Sequence, residues 1–305
     1  MPLLVTGTIG IDTVQTPEAS ADRVSGGSCA YFAVAAAFHH KPVRIVGVVG
    51  GDWPEDHAQL LSSIQGLCLE GLERRESSKT FAWGGRYFDN MNQRETLFTE
   101  LGVLEEAPPI VPESYKDSRI IFLANSHPSV QMDLLNQFPD RVLAVADTMD
   151  LWINIAHDEL LKVFKVIDGV IINDSEAELL TNINNPISAA RRIIQLGPKF
   201  VIVKKGEHGA ILVHEDGIAA LPAYPLDQTQ VVDPTGAGDS FAGGFMGYLA
   251  ASGHSDFATM QAAMAWGTVT ASFALGSFGL EGLVGTTRND LDARMIDYKR
   301  ITLVS

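Results

Sequence analysis

Two cysteines in 305 residues, Cys29 and Cys68, are too few for a disulfide framework. A chain of this length does not need one, because it can bury a core of its own. Their scarcity fits a reducing compartment, and a cytoplasmic location is expected. Basic side chains are also scarce: 22 Lys and Arg against 37 Asp and Glu, a formal charge of -15. No Lys/Arg stripe interrupts that excess, so nucleic acid phosphates are repelled and no nucleic acid partner is expected. Long apolar runs are missing too. The longest candidate, AAMAWGTVTASFALG, is too short and too rich in small residues to span a membrane, and reads as a buried helix. The opening MPLLVTGTIGID lacks the basic start and apolar core of a signal peptide. Two phosphate-binding patterns are absent. No GxxxxGK[ST] occurs, GxGxxG from Gly236 fails at Phe241, and the cluster Gly47 to Gly51 misses the spacing. No second histidine or cysteine stands at ligand spacing from His127 or His208, which argues against a direct metal centre.

What is present is a globular composition, with 46% hydrophobic and 19% charged residues. Apolar runs dense in Val and Ile fall at 2–8, 43–50, 119–125, 141–147, 169–173 and 200–205. Near-continuous strands of this kind belong to a sheet covered on both faces. Helical spacing alternates with them, at 28–40, 127–138, 157–167 and 186–197. The expected fold is therefore α/β and doubly wound, a mostly parallel central sheet with helices on both faces. Ligands in such sheets sit beyond the carboxyl ends of the strands. Residues 79–99 break the pattern with alternating aromatics and a DNMN turn, the signature of an antiparallel hairpin. A hairpin inserted in such a fold serves as a lid, as a subunit contact, or as a plain edge element. An alanine-rich helix is expected over 255–276, and His39-His40 reads as a positive complement to a helix C-terminus. No linker divides the chain, so one domain over 1–305 is expected, with a small β lid mainly at 79–99 and partly at 12–27.

The most informative stretch is VVDPTGAGDSFAGG, residues 231–244. Gly236, Ala237 and Gly238 carry almost no side chain, so a ligand can approach their amides. A helix begins near Gly238, and free first-turn amides with the helix dipole favour an anion. An ionised Asp239 beside such an anion hole suits removal of a proton from an alcohol during phosphoryl transfer. A plain helix cap explains the aspartate equally well from this stretch alone.

Taken together, the motifs resemble those of the ribokinase-like, or PfkB, carbohydrate and nucleoside kinases. The family's D-x-T-G-A-G-D signature reads here Asp233-Pro-Thr235-Gly236-Ala237-Gly238-Asp239. A glycine pair opening a helix is Gly26-Gly27, and G-x-V-G-x-D is Gly47 to Asp52. N-x-x-E is Asn173 to Glu176, and G-x-x-G after a strand is Gly206 to Gly209. All fall in the family's order. The resemblance implies a ribokinase-like fold and an ATP- and Mg²⁺-dependent phosphotransferase acting on a small-molecule hydroxyl. It implies Asp239 as general base and Gly236, Ala237 and Gly238 as the anion hole. It implies that Asn173 and Glu176 organise Mg²⁺ through water, with Lys204, Gly206, Gly209 and Thr235 at the nucleotide. Asp12, Gly26 and Gly27 would hold the acceptor, and Asp233 with loop 277–282 resembles a monovalent (K⁺) cation site of some members. A homodimer through the lid is known among relatives.

Two departures bear on the acceptor. Where sugar kinases often read K-G-A-N after the glycine pair, this chain has Ser28-Cys29-Ala30-Tyr31, closer to the adenosine- and nucleoside-kinase branch. Lys204-Lys205 stands where threonine is common, to meet a phosphate or to face solvent. Asn125 at a strand tip, and Asn92 and Arg94 on the lid, are candidate acceptor contacts, Asn125 being equally a helix cap. An adenosine-like nucleoside is the expected acceptor. The alternatives are a sugar kinase of the ribokinase or fructokinase type, or a nucleotide-binding regulator without catalysis.

Overall fold

The computed structural model describes residues 1–302. Its strands are β1 (Leu3–Thr6), β2 (Gly10–Gln15), β3 (Ser20–Gly26), β4 (Val43–Gly50), β5 (Leu67–Arg75), β6 (Phe81–Tyr87), β7 (Arg94–Glu100), β8 (Ile120–Leu123), β9 (Leu143–Ala146), β10 (Gly169–Asn173), β11 (Phe200–Lys204), β12 (Ala210–His214) and β13 (Gly217–Leu221). Its helices are α1 (Ser28–Ala37), α2 (Glu55–Ser63), α3 (Pro128–Leu135), α4 (Asp150–Ile155), α5 (His157–Phe164), α6 (Asp174–Thr181), α7 (Pro186–Ile194), α8 (Ala237–Ser252), α9 (Phe257–Ala274), α10 (Glu281–Val284) and α11 (Arg288–Thr302).

A nine-stranded sheet runs in the order β13-β12-β11-β10-β9-β8-β1-β4-β5. Its strands are parallel from β5 to β11, and only the β12–β13 edge is antiparallel. Both faces are covered, which explains why the strands are apolar throughout. Side chains alternate across a strand, so Leu3 and Val5 join Phe122 in the core on one face. Leu4 joins Ile121 and Leu123 in the core on the other. Phe122 is fully buried and stacks on Phe32 of α1 at 4.3 Å between ring centroids. Burying a ring of that size contributes about 2–3 kcal/mol.

Helix α8 packs against α1 closely enough that glycine is needed. A Cβ at Gly243 would lie 2.3 Å from the carbonyl oxygen of Phe32. One at Gly247 would lie 2.8 Å from that of Ala36. The small-residue run after Asp239 is thus a packing face. It fixes the start of α8 beside the start of α1.

His39 departs from the expectation of a charged helix complement. It follows α1 into the core, where its Nε2 meets Thr270 Oγ1 at 2.9 Å. Burial, aided by Arg288, pushes its pKa down to about 3, so the ring is neutral.

A second sheet has four strands in the order β3-β2-β6-β7. The hairpin expected over 79–99 appears as β6 and β7, antiparallel and bulged between Gly84 and Gly85. It is not isolated: β6 also pairs in parallel with β2, which pairs with β3. The 10–26 segment therefore supplies half of this small sheet. Among the described residues no helix is long and apolar enough to cross a membrane.

Candidate active site

The carboxyl ends of the parallel strands meet the start of α8 and the inner side of the small sheet. Gly236 is the N-cap of α8, in the left-handed region at φ 74°. Its conformation and its surroundings both demand glycine: a Cβ would fall 2.4 Å from the ring of Tyr31. Ala237, Gly238 and Asp239 form the first turn. The Ala237 amide is donated to the Pro234 carbonyl at 3.2 Å, so it closes the turn rather than pointing into the cleft. Above Gly238 lies the ammonium of Lys204, from the end of β11; a Cβ there would be 2.6 Å from Nζ. A fixed cation therefore reinforces the positive end of the helix dipole.

Asp239 is half-buried, and desolvation raises its pKa. The charges of Lys204 and Arg94 and a hydrogen bond from Asp147 oppose that rise. Asp147 follows β9 directly and is 6% exposed. Burial first, then the Asp239 charge, pushes its pKa well above the usual carboxylate range. Burial raises both carboxyls, Asp147 the further of the two, so a proton on this pair favours Asp147.

Asn173 and Glu176 form a capping box at the start of α6. Asn173 Oδ1 accepts the Glu176 amide at 2.7 Å, and Glu176 Oε2 accepts the Asn173 amide at 3.0 Å. That local duty accounts for their spacing. It does not account for their place, since Glu176 is half-buried and lies under the influence of Lys204 and Arg94. Its pKa is raised by burial, with Lys204 as the main counterweight. Gly206 and Gly209 bound a single 3-10 turn after β11, at φ 53° and 90°. Gly209 is required by packing, because a Cβ would lie 2.0 Å from the Leu221 carbonyl.

On the other side of the cleft stands Asp12, in β2 and 4% exposed. Gly26 makes room for it; a Cβ there would be 2.0 Å from Asp12 Oδ2. Gly27 caps α1 at φ 94°, and a Cβ there would be 2.4 Å from the Thr8 carbonyl. Burial, then the charge of Asp233, lifts the Asp12 pKa to about 7, against the pull of the Gly27 amide. Asp233 is fully buried; its Oδ1 accepts the Thr235 amide at 2.8 Å, while Oδ2 has no partner. Thr235 Oγ1 donates to Tyr87 Oη at 3.2 Å, which ties the small sheet to this loop. Arg94 in β7 stacks over Trp83 at 5.5 Å, and its charge acts on Tyr87, Glu176 and Asp150.

Asp239, Gly238, Lys204, Glu176, Asp12, Asp233, Thr235 and Arg94 thus share one cleft. Two of the expected acceptor contacts are engaged elsewhere. Asn92 Nδ2 donates to Glu207 Oε1 at 3.1 Å, so it touches the Gly206 turn instead of lying beneath the small sheet. Asn125 Oδ1 accepts from Trp152 Nε1 at 2.8 Å, and its Nδ2 points to Met149 Sδ. Among the described residues no cluster of His, Cys, Asp and Glu is arranged to hold a metal directly.

Comparison with known proteins gives the family. A model of the pfkB family carbohydrate kinases matches residues 136–284. The cytidine kinase of Thermococcus kodakarensis is 30% identical over 250 residues, spanning 81% of this chain and 87% of that protein. A Burkholderia thailandensis nucleoside kinase in complex with inosine superimposes with a TM-score of 0.77 at 20% identity, over 97% of this chain and 98% of that one. An E. coli protein described as a ribokinase II, in complex with ATP and Mg²⁺, gives 0.78 at 18% identity, over 97% and 99%. The chain belongs to the PfkB family and is a nucleoside or carbohydrate kinase of ribokinase fold.

Proposed function

We propose that this protein transfers the γ-phosphoryl group of ATP to a hydroxyl of a nucleoside, adenosine-like in class, with Asp239 as the general base. The observation that carries the reading is the stacking of three features at one point. A carboxylate in the first turn of α8, the Lys204 ammonium over Gly238 and the helix N-terminus converge there. The nucleoside class is supported by the cytidine kinase relative, and by Tyr31 in place of the asparagine of the sugar kinases.

Each group has a task. Asp239, whose pKa Lys204, Arg94 and Asp147 hold down against burial, takes the proton as the acceptor hydroxyl attacks in line. The Gly236 and Gly238 amides and Lys204 offset charge on the transferring group. Glu176 and Asn173 would hold Mg²⁺ through water, and the ion would neutralise phosphate charge. The partnerless Asp233 Oδ2 and Ser277 Oγ, both buried, fit a monovalent cation beside the anion hole. Asp12, Gly26 and Gly27 orient the acceptor. The chain acts as one domain, and the small sheet is its lid, closing over the acceptor to exclude water as a competing nucleophile.

A coupled ADP-release assay across nucleosides, ribose, fructose and their phosphates tests this. Turnover with nucleosides is expected to lead. Turnover confined to sugars would replace the acceptor class, and no ADP release with any acceptor would leave a non-catalytic nucleotide binder.

A further inference from the structure

Away from the cleft, the C-terminal ends of α1 and α2 and the short helix α10 enclose an open groove of about 490 Å³. That volume lies among those of small-molecule sites, roughly 300–1,000 Å³. The length of α1, about 15 Å of helix, separates it from Gly27 at the cleft. Phe38, Ile64 and Val284 give the groove apolar surface, and Lys41 and Arg288 give it charge. Among the described residues no Asp or Glu lines it, in a chain with 37 acids against 22 bases. Both cations are held in place. The Lys41 stem lies over Gly66, where a Cβ would come 2.5 Å from its Cγ, and its Nζ donates to Gln65 Oε1 at 2.9 Å. Arg288 stacks over Trp266 at 4.7 Å, donating from Nη1 to the Phe38 carbonyl at 2.9 Å and from Nε to Asp292 at 3.0 Å. Most N–H donors of the two side chains stay unused in these bonds. Other carbonyls ending the two helices do not claim them: Ala36 accepts from the His39 and His40 amides, and Leu61 from the Ile64 amide.

We propose that this groove binds a small organic anion, its apolar body against Phe38, Ile64 and Val284 and its carboxylate, sulfonate or phosphate on Lys41 and Arg288. Charge decides between occupants. A cation would meet repulsion, and a neutral molecule would leave the free donors without a partner. An anion collects charge-assisted hydrogen bonds, roughly twice as strong as neutral ones. With a formal charge of -15 overall, the protein attracts an anion locally, where bases gather without acids. The site is separate from the cleft and does not depend on the phosphoryl-transfer reading.

Anilinonaphthalene sulfonate, an aromatic body carrying one sulfonate, is the probe. It is titrated against the folded full chain with and without saturating ADP, by fluorescence and calorimetry. One dye per chain is expected, with an affinity that ADP changes less than about twofold, because groove and cleft share no residue. Lys41→Glu and Val284→Asp, at exposed positions, should each weaken binding by roughly tenfold or more, the first through charge and the second through the apolar surface. Should Val284→Asp fail to fold, Lys41→Glu decides the question, since an exposed lysine is no part of the core. No saturable binding to the wild type, displacement of the dye by ADP, or unchanged affinity in either folded variant would overturn the proposal.

Discussion

The pKa of Asp239 is set by its neighbours as well as by its depth. Burial raises it, and Lys204, Arg94 and a hydrogen bond with Asp147 work against that rise. Asp147 is therefore a positioning residue with a pH signature. In Asp147→Ala the hydrogen bond that lowers the Asp239 pKa is gone, so the Asp239 pKa rises. Turnover that requires ionised Asp239 must then begin at higher pH. The acid limb of kcat should move upward by about one unit, with less change at the alkaline plateau. A pH profile superimposable on that of the wild type would remove Asp147 from the account. The residue had a legible signal, an acid directly after the apolar run RVLAVA, at the edge where ligands bind. Local pattern could not say that this carboxyl meets Asp239, because 92 positions of chain separate them and only the sheet order brings them together. The same holds for Tyr31. In sequence it is a departure from a consensus, and only the packing of α1 on α8 places its ring against Gly236.

Elements were legible where one physical cause dominated. Strands β4 and β10 begin and end where their apolar runs do, because a strand covered on both faces is apolar along almost its whole length. The edges were harder. Strand β5, LCLEGLERR, mixes charges into a half-covered border, and neither it nor the β12–β13 hairpin is among the apolar runs of the sequence. The N-x-x-E spacing proved to serve the helix as a capping box as well as the cleft. The small sheet was half legible: the 79–99 hairpin and a share of 12–27 were expected, whereas the parallel pairing of β6 with β2 was not. Arg94 is its electrostatic anchor, directed at a cleft rich in carboxyls. Arg94→Ala is expected to lower kcat/KM for the acceptor by roughly 10- to 100-fold, as loss of a charge-assisted contact does. Limited proteolysis at the Asp89–Gln93 turn should accelerate in the same variant. Unchanged kinetics and unchanged cleavage would show the small sheet to be docked by other means.

At the scale of the whole molecule, an acidic protein must attract a polyanionic donor locally. A charge of -15 gives no long-range help. The answer is concentration of positive potential at one point, where the α8 N-terminus, Lys204 and Arg94 face the same cleft. Around it the acids are arranged by depth, with Asp147 and Asp12 pushed toward their neutral forms by burial and Asp239 held against that tendency. On this account Asp239 is the group whose charge does chemistry, and the others hold acceptor or proton. The most direct measurement is therefore on Asp239→Asn, following ATP binding and single-turnover phosphorylation in the same preparation. The account predicts ATP affinity within about threefold of the wild type and turnover lowered by roughly 10²–10⁴-fold. Phosphorylation at a near-normal rate would contradict it.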